Sequence, residues 1–233
     1  MKRSRGFTLI ELAIVLVVIT ILIGGLVMPL SAQIQARRIA ETKKLMEEAR
    51  EAIIGYAMGN LEAITPDKNR SFLPCPDTDV DGVVDGTEDR DDDGSCLAYE
   101  GWFPSVTLGT ATQDAWGNRL RYRVTAQFAA ASPGFVNTDV GDIQICSGSN
   151  CATGMVAENV PLVLLSHGPN GRGALSLGGV RLGDPSGVHE LENADTDEIF
   201  VSRVPTTADH PNGEFDDLVV WLSNSLLTGR IRL

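Results

Sequence analysis

Hydrophobic residues form one long run near the start of the chain and a helical pattern directly after it. Residues 7–30 are apolar apart from two threonines, one glutamate, two glycines and one proline. A run of more than about 18 apolar residues is typical of a membrane-crossing helix. In residues 31–62, apolar or small side chains recur at steps of three and four, as on a helix face that packs against other structure. These positions are Ile39, Thr42, Met46, Ala49, Ile53 and Tyr56. We predict one helix over residues 8–60, with a membrane-spanning first half and an amphipathic second half.

Short β-branched and aliphatic segments replace the helical pattern in residues 63–233. Four of them are bounded by Gly, Pro, Asn or Asp and are predicted to be strands: Arg119–Val124, Val160–Leu165, Glu198–Val204 and Leu218–Leu222. A long helix followed by several strands predicts an α+β fold in which the helix packs on an antiparallel sheet.

The first predicted strand alternates apolar residues with three arginines. Successive side chains on a strand point to opposite faces, so Arg119, Arg121 and Arg123 share one face. We interpret this row as a solvated strand face. An acidic neighbour that docks on the row is the alternative.

Charge and cysteine content narrow the class of protein. The formal net charge is −12, and such an acidic chain repels the phosphate backbone of nucleic acids, which are therefore not expected as partners. All four cysteines lie beyond the apolar run. An even number of cysteines on that side indicates disulfides in an oxidising compartment.

Glu11 interrupts the apolar run, and a lone carboxylate there costs about 3 kcal/mol in lipid. One interpretation of the N-terminus is a secretory signal peptide with a cut near Ala32, but the apolar core of such peptides has only about 7 to 15 residues. A plain signal anchor is another interpretation. Neither explains the charge.

Gly6, Phe7, Thr8, Leu9, Ile10, Glu11 and Leu12 follow a short basic leader. This stretch resembles the processing site of type IV pilins and of the pseudopilins of type II secretion. The resemblance implies that prepilin peptidase cuts between Gly6 and Phe7 on the cytoplasmic side and methylates the new amine of Phe7. Residues 1–6 would then be a leader peptide, residues 7–30 a transmembrane and filament-core helix, residues 31–62 an amphipathic helix that continues into the head, and residues 63–233 a periplasmic β-rich head.

A mature N-terminus at Phe7 offers a partner for Glu11. The carboxylate could pair with the amine of a neighbouring subunit, because opposite charges attract more strongly where the dielectric constant is low. We therefore predict that Glu11 registers one subunit against the next during assembly.

Asp114 to Asn118, with the sequence DAWGN, resembles a turn in pseudopilin heads that lies just before a strand. The later stretches SHGPNG and FDDLVVWL are similar to those of a subgroup of such proteins.

An acidic stretch bounded by two cysteines, residues 75–100, has the spacing of a calcium loop. Asp77, Asp79 and Asp81 take positions 1, 3 and 5, the Val83 carbonyl position 7, Asp85 position 9 and Glu88 position 12. A weaker second register contains Asp89, Asp91, Asp93 and Glu100. Residues 77–93 hold nine acids and one arginine, so the loop should repel itself open without a cation. We predict structural Ca²⁺; a solvated, disordered loop is the alternative.

The cysteine spacing favours two disulfides without fixing their pairing. Four cysteines allow three connectivities. A bond between Cys75 and Cys96 would close the acidic loop, and Cys146 and Cys151 would then form a local clasp. Zinc is the competing use, but the ligand spacings are poor and the three histidines are distant.

The sequence contains only weak signals of a catalytic site. Ser166 and His167 are adjacent at a predicted strand end and would point to opposite faces, so they cannot act together as nucleophile and base. We expect no enzyme activity.

The predicted function is a pilin-like structural subunit, a minor pilin or pseudopilin, in the bacterial inner membrane. Its partners would be prepilin peptidase and other subunits. The alternative is a membrane-anchored periplasmic calcium-binding domain that does not polymerise.

Overall fold

The computed structural model describes residues 7–60, 62–65, 68–78 and 83–231, without the side chains of residues 24–29, 62–65, 68–69 and 153. The chain divides into two compact units, Met1–Ala40 and Glu41–Leu233.

Helix α1, Leu9–Gly59, is the longest element, and its bounds confirm the predicted helix. In the first unit its apolar side chains are exposed at successive positions, so they occupy every side of the helix; examples are Leu9, Ile10, Leu12, Val15 and Leu16. Within the part of the chain that the structure describes, no helix combines the length and the hydropathy of a membrane-crossing segment.

In the second unit α1 buries the face that its periodicity predicts. Thr42, Met46, Ala49 and Ile53 are buried, and Tyr56 is half-buried. Met46, Ala49 and Ile53 belong to a hydrophobic cluster that also contains Tyr122, Phe128, Phe135, Leu162 and Leu164. Helix α1 therefore forms one side of the main core.

The main sheet has four antiparallel strands in the order β3-β4-β7-β9. The strands are β3 (Glu100–Trp102), β4 (Arg121–Val124), β7 (Leu162–Ser166) and β9 (Leu218–Leu222). Strands β4 and β9 lie within predicted strands, and β7 overlaps one and extends one residue beyond it. Strand β7 is buried on both faces: Leu162 and Leu164 join the cluster with α1, and Val163 joins a second cluster on the other face.

A second sheet supplies that other cluster. Its order is β6-β5-β8, with β5 at Ile143–Cys146, β6 at Met155–Val160 and β8 at Ile199–Val201. Strands β5 and β8 are parallel. Ile143, Ile145 and Phe200 pack with Val163, so the prediction of one antiparallel sheet is incomplete: the sheet packed against α1 is covered on its opposite face.

The remaining elements are short. Strands β1 (Glu62–Thr65) and β2 (Lys68–Arg70) pair antiparallel. The short helices are α2 (Ser105–Leu108), α3 (Ala126–Ala129), α4 (Val188–Ala194), α5 (Asn224–Ile231) and a 3₁₀ turn at Cys151–Thr153.

The predicted turn at Asp114 lies before β4 and connects α1 to the main sheet. Asp114 Oδ1 accepts hydrogen bonds from the backbone N–H groups of Trp116 and Asn118 at 2.9 and 3.0 Å. Thr42 of α1 accepts one from Ala115 N–H at 3.1 Å, and Ser166 of β7 donates to Asp114 Oδ2 at 2.7 Å. These contacts explain why a polar threonine lies on the buried face of α1.

The interpretation of the arginine row as a solvated face is wrong. Arg119, Arg121 and Arg123 are only 8–9% exposed. Arg121 donates from Nε to Glu100 Oε1 at 2.6 Å, and Arg123 lies 2.9 Å from Glu198. Segments next to β5 and β8 contact Arg121 and Arg123, and the acidic loop contacts Arg119. The acidic partners belong to the same chain.

Candidate functional site

The predicted processing site is only partly described: Gly6 lies outside the described residues, and Phe7 is exposed. Thr8 and Glu11 form the reciprocal contacts of a helix capping box. Thr8 N–H donates to Glu11 Oε2 at 2.9 Å, and Glu11 N–H donates to Thr8 Oγ1 at 3.3 Å. The Thr-x-x-Glu spacing would have revealed this local role in the sequence. Both groups that donate to Glu11, the N–H and the hydroxyl of Thr8, bond to Oε2.

The acidic loop is closed by a disulfide between Cys75 and Cys96, whose Cα atoms are 5.3 Å apart. Cys146 and Cys151 form the second disulfide. Of the three possible connectivities, the structure therefore has the pairing in which Cys75–Cys96 encloses the loop. Asp79 and Asp81 lie outside the described residues.

Asp77, the first predicted calcium ligand, is 1% exposed. Its Oδ2 accepts a hydrogen bond from Gly86 N–H at 2.5 Å and lies 3.8 Å from Arg119 Nη1. Its Oδ1 is buried without a hydrogen-bond partner among the described residues. Burial raises the pKa of Asp77 to about 6, although the Gly86 N–H and Arg119 oppose the rise.

Val83 and Asp85 are exposed, and Asp85 accepts a hydrogen bond from Thr87 N–H at 2.7 Å. Glu88, the predicted position 12, instead binds groups of the head. Its Oε1 accepts from the Tyr56 hydroxyl at 2.6 Å and its Oε2 from Cys75 N–H at 2.9 Å. The chelating role predicted for Glu88 would require it to give up these contacts.

Arg90 holds the loop against the head, and its side chain is 15% exposed. It donates four hydrogen bonds, and its guanidinium lies 4.9 Å from the centre of the Phe72 ring. The acceptors are the carbonyls of Gly94 and Ala129, each at 2.6 Å, the carbonyl of Leu73 at 3.0 Å and Glu88 Oε2 at 3.1 Å. A cation inside the chain thus offsets part of the repulsion expected among the acids.

The residues of the second calcium register contact different groups of the head. Asp89 accepts from the N–H and hydroxyl of Thr78 at 2.7 and 2.6 Å. Asp91 accepts from the N–H groups of residues 93 and 95, and Asp93 is exposed. Glu100 lies in β3 and pairs with Arg121 and Arg123. Burial raises the pKa of Glu100, while Arg121 and Arg123 oppose the rise.

Ser166 and His167 do not contact each other as a catalytic pair. The Ser166 hydroxyl donates to Asp114. His167 is fully buried, and its Nδ1 lies 3.7 Å from Asp217 Oδ1. Their partners are different, as expected for adjacent residues at a strand end.

Two groups of acidic side chains elsewhere bring carboxylate oxygens within 4.8 Å of one another, and among the described residues the predicted calcium loop contributes to neither. The groups are Glu190 with Asp216 and Asp217, and Glu192 with Asp195 and Asp197. Burial, and then the charge of Asp217, raises the pKa of Glu190 to about 7. Burial, and then the charge of Glu190, raises the pKa of Asp216 to about 7. No sequence motif marks the first group, because Glu190 is far from the aspartates along the chain.

The described residues form a long helix with exposed apolar side chains at its start and a β-rich head. Residues 1–27 match the family model described as the prokaryotic N-terminal methylation motif, which is the signature of type IV pilins and pseudopilins. The match confirms the resemblance found in residues 6–12. It supports a pilin-like substrate of prepilin peptidase and implies assembly with other pilin subunits. No match was found among curated proteins or among solved structures.

Proposed function

We propose that the chain is a minor pilin or pseudopilin. Prepilin peptidase removes residues 1–6, residues 7–30 anchor the subunit in the inner membrane and later in a filament, and the head lies in the periplasm. The observation that carries this proposal is the methylation motif over residues 1–27, which includes the start of α1, where apolar side chains are exposed on every side of the helix.

The exposed apolar surface at the start of α1 supports the proposal that lipid or other protein subunits cover this part of the helix. Soluble monomers rarely expose contiguous apolar patches beyond a few hundred Å². A helix that is apolar all round is buried in lipid or in a protein core. Lipid would cover it before assembly and neighbouring subunits would cover it afterwards.

The size of the head supports a minor subunit. It contains a second sheet, two disulfides and an acidic loop in addition to the main sheet that packs on α1. Such additions enlarge the displayed surface without contributing to the helical core of a filament.

Glu11 has two candidate roles that one pair of variants separates. A glutamine at this position of a capping box still accepts the hydrogen bond from the backbone N–H, but it cannot pair electrostatically with an amine. We therefore expect Glu11→Gln to keep the helix and its membrane insertion while it loses filament incorporation. Glu11→Val should lose incorporation as well.

The assay is co-purification of tagged subunits with sheared or isolated filaments, compared with the amount of each variant in the membrane fraction. Asp92→Asn, a charge change on the exposed loop, is the control. Normal incorporation of Glu11→Gln would refute the charge-pairing role. Mass spectrometry of the mature chain gives an independent test: we expect it to begin with methylated Phe7, and an unprocessed start would favour the tethered domain that does not polymerise.

The second part of the proposal is that the acidic loop binds calcium through Asp77, Asp79, Asp81, the Val83 carbonyl and Asp85. The buried Asp77 Oδ1, which has no hydrogen-bond partner among the described residues, supports this. Alternate carboxylates on a curled loop supply the oxygen ligands that Ca²⁺ prefers. The existing contacts of Glu88 favour a site completed without its side chain.

Calcium should raise the melting temperature of the chelator-treated full chain in detergent. The double variant Asp81→Asn with Asp85→Asn should lose most of that increase, whereas Asp92→Asn should retain it. Equal responses in the two variants would contradict calcium binding by this loop.

A further inference from the structure

Strand β9 is an edge of the main sheet, because among the described strands it pairs only with β7. The pairing with β7 is regular over all five residues of β9. On its other side, the backbone of Leu218–Leu222 makes no hydrogen bond to a described residue. The side chains of its first four residues are half-buried. Strand β9 therefore presents unpaired N–H and C=O groups along an apolar segment.

The other edges of the two larger sheets are covered or irregular. At β3, Asp77 N–H donates to the Trp102 carbonyl at 2.9 Å, and Trp102 N–H donates to the Asp77 carbonyl at 2.7 Å. At β8, the Asn193 side chain donates to the Val201 carbonyl at 3.0 Å and accepts from its N–H at 2.6 Å. Edge strand β6 pairs irregularly with β5 and carries Glu158. Such features prevent sheet edges from pairing with other chains, and the described residues of β9 have none of them.

A groove lies between α1 and β9. It is lined by Lys43, Glu47 and Arg50 of the helix and by Val219, Val220 and Trp221 of the strand. Its two parts have volumes of about 230 and 380 Å³. Because Val219 and Val220 point to opposite faces of the sheet, a groove that both residues line lies at the edge of the strand. A strand added to β9 would direct alternate side chains into it, as in β-augmentation, where backbone hydrogen bonds provide affinity and side-chain pockets provide specificity.

The groove is basic at the end next to the start of β9. Lys43 and Arg203 line this part, and neither forms a salt bridge with a described carboxylate. The acids of the groove have other contacts: Glu47 pairs with Arg50, and Asp217 is only 4% exposed and accepts a hydrogen bond from an amide side chain. Two basic side chains without an acidic partner favour an added segment that has an acidic residue at this end.

A second copy of this chain does not fit this edge. Lys43 lines the groove at the start of β9 and Arg50 lines it at the end, so α1 and β9 run in the same direction. Antiparallel pairing of β9 with β9 of a second copy would make the two α1 helices run in opposite directions, which two subunits anchored in one membrane cannot do. Head-to-tail pairing of copies would need a second open edge, and the edges at β3, β6 and β8 are covered or irregular.

We propose that β9 pairs with a strand from a different subunit of the filament, an extended apolar segment that has an acidic residue next to Lys43 and Arg203. This inference rests on the proposed pilin-like function and specifies the kind of partner that the head binds. The added strand satisfies the free backbone groups of β9 and fills the groove with alternate side chains. Its acidic residue fixes the register of the pairing.

The photoreactive amino acid p-benzoylphenylalanine, in place of Ser223, tests this edge in cells that assemble the filament. Ser223 is exposed, follows β9 directly and lines the groove. The matched control carries the same amino acid in place of Glu158, which is exposed on edge strand β6. After irradiation, tandem mass spectrometry of the purified full chain identifies the crosslinked peptide. We expect an adduct at position 223 with another filament subunit, through an apolar segment that contains Asp or Glu, and no adduct with that segment at position 158.

A charge reversal in the groove tests the basic end. Lys43→Glu, combined with the crosslinker at position 223, should lower the yield of this adduct by at least about 5-fold, because it places like charges together. Lys44→Glu changes a neighbouring exposed residue outside the groove and should leave the yield unchanged. Both variants should keep the melting temperature of the parent chain, since both lysines are exposed.

Methylated Phe7 in the same samples reports processing independently of β9. If processed subunits reach the filament fraction but give no adduct at position 223, the pairing at β9 is wrong while the pilin-like function stands. Adducts only with copies of this chain, adducts through a segment without an acidic residue, or equal yields in the two lysine variants would also overturn it. An unprocessed chain that stays out of filaments would overturn the proposed function, and this inference with it.

Discussion

Replacing Arg90 with methionine tests whether a cation inside the chain holds the acidic loop against the head. Methionine keeps a long apolar side chain that can still pack on Phe72, so the change removes mainly the charge and the donors. The guanidinium makes four hydrogen bonds, three to backbone carbonyls and one to Glu88.

The expected loss of unfolding free energy is about 3 kcal/mol. Breaking a buried ion pair by removing one partner costs about 3 to 5 kcal/mol, because the remaining charge is left without compensation. Glu88 keeps two other donors, the Tyr56 hydroxyl and Cys75 N–H, which places the expected value at the lower end. The three carbonyls that lose a donor prevent it from falling much further.

Urea unfolding of the full chain in detergent, followed by tryptophan fluorescence, measures the loss. Arg230→Met is the matched control: Arg230 lies 2.7 Å from Glu51, both side chains are about half exposed, and such surface pairs contribute less than about 1 kcal/mol. Proteolysis within residues 83–96 should accelerate in Arg90→Met only. A loss no larger than that of the control, with an unchanged cleavage rate, would refute the role of Arg90.

Two further predictions concern packing and pH. Gly101→Ala should lower the unfolding free energy by about 1 to 3 kcal/mol, because its Cβ would lie 2.5 Å from the Asp77 carbonyl oxygen; Gly183→Ala, which meets nothing within 4 Å, is the control in the same urea assay, and equal losses would contradict the steric reason. Glu190 and Asp216 have pKa values raised to about 7, so the folded state binds more protons than the unfolded state between pH 4 and 7. The stability that these protons contribute is present below the unfolded pKa values and is lost as pH rises through 7, and urea unfolding from pH 5 to 8 should show a decrease that Glu190→Gln reduces; an unchanged slope in that variant would contradict it.

The sequence predicts those elements whose pattern is local. The three- and four-residue steps from Ile39 to Tyr56 predict α1 and its buried face, and the apolar run Leu218–Leu222 predicts β9 with its observed bounds. In the second sheet, β8 lies within the predicted strand Glu198–Val204, but β5, β6 and the pairing of the sheet are not predictable in this way. Strand β6 is mostly exposed, and the parallel pairing of β5 with β8 joins segments more than 50 residues apart.

The candidate sites differ in the same way: those marked by a local sequence pattern are predictable, and those that depend on packing are not. The cysteine pair around the acidic loop and the processing motif are visible as spacings in the sequence. The contacts of Glu88 with Tyr56 and Cys75 depend on how α1 packs, so a spacing rule assigns Glu88 to a metal when the fold uses it for attachment. Glu190 has no local signal, because its partners lie 26 and 27 positions further along the chain.

The arginine row shows why a correct periodicity can give a wrong environment. Alternation places Arg121 and Arg123 on one face of β4, and that placement holds, while Arg119 lies just before the strand and is buried as well. Whether the face meets water depends on a second layer, here the sheet containing β5 and β8, which the strand's own residues do not encode. Glu100 and Glu198 compensate the buried guanidinium groups, and burial of several charges is tolerated when each is paired and hydrogen-bonded. Among the described residues, no lysine or arginine pairs with the acids at positions 190, 216 and 217, although Glu190 and Asp217 are buried in the same head.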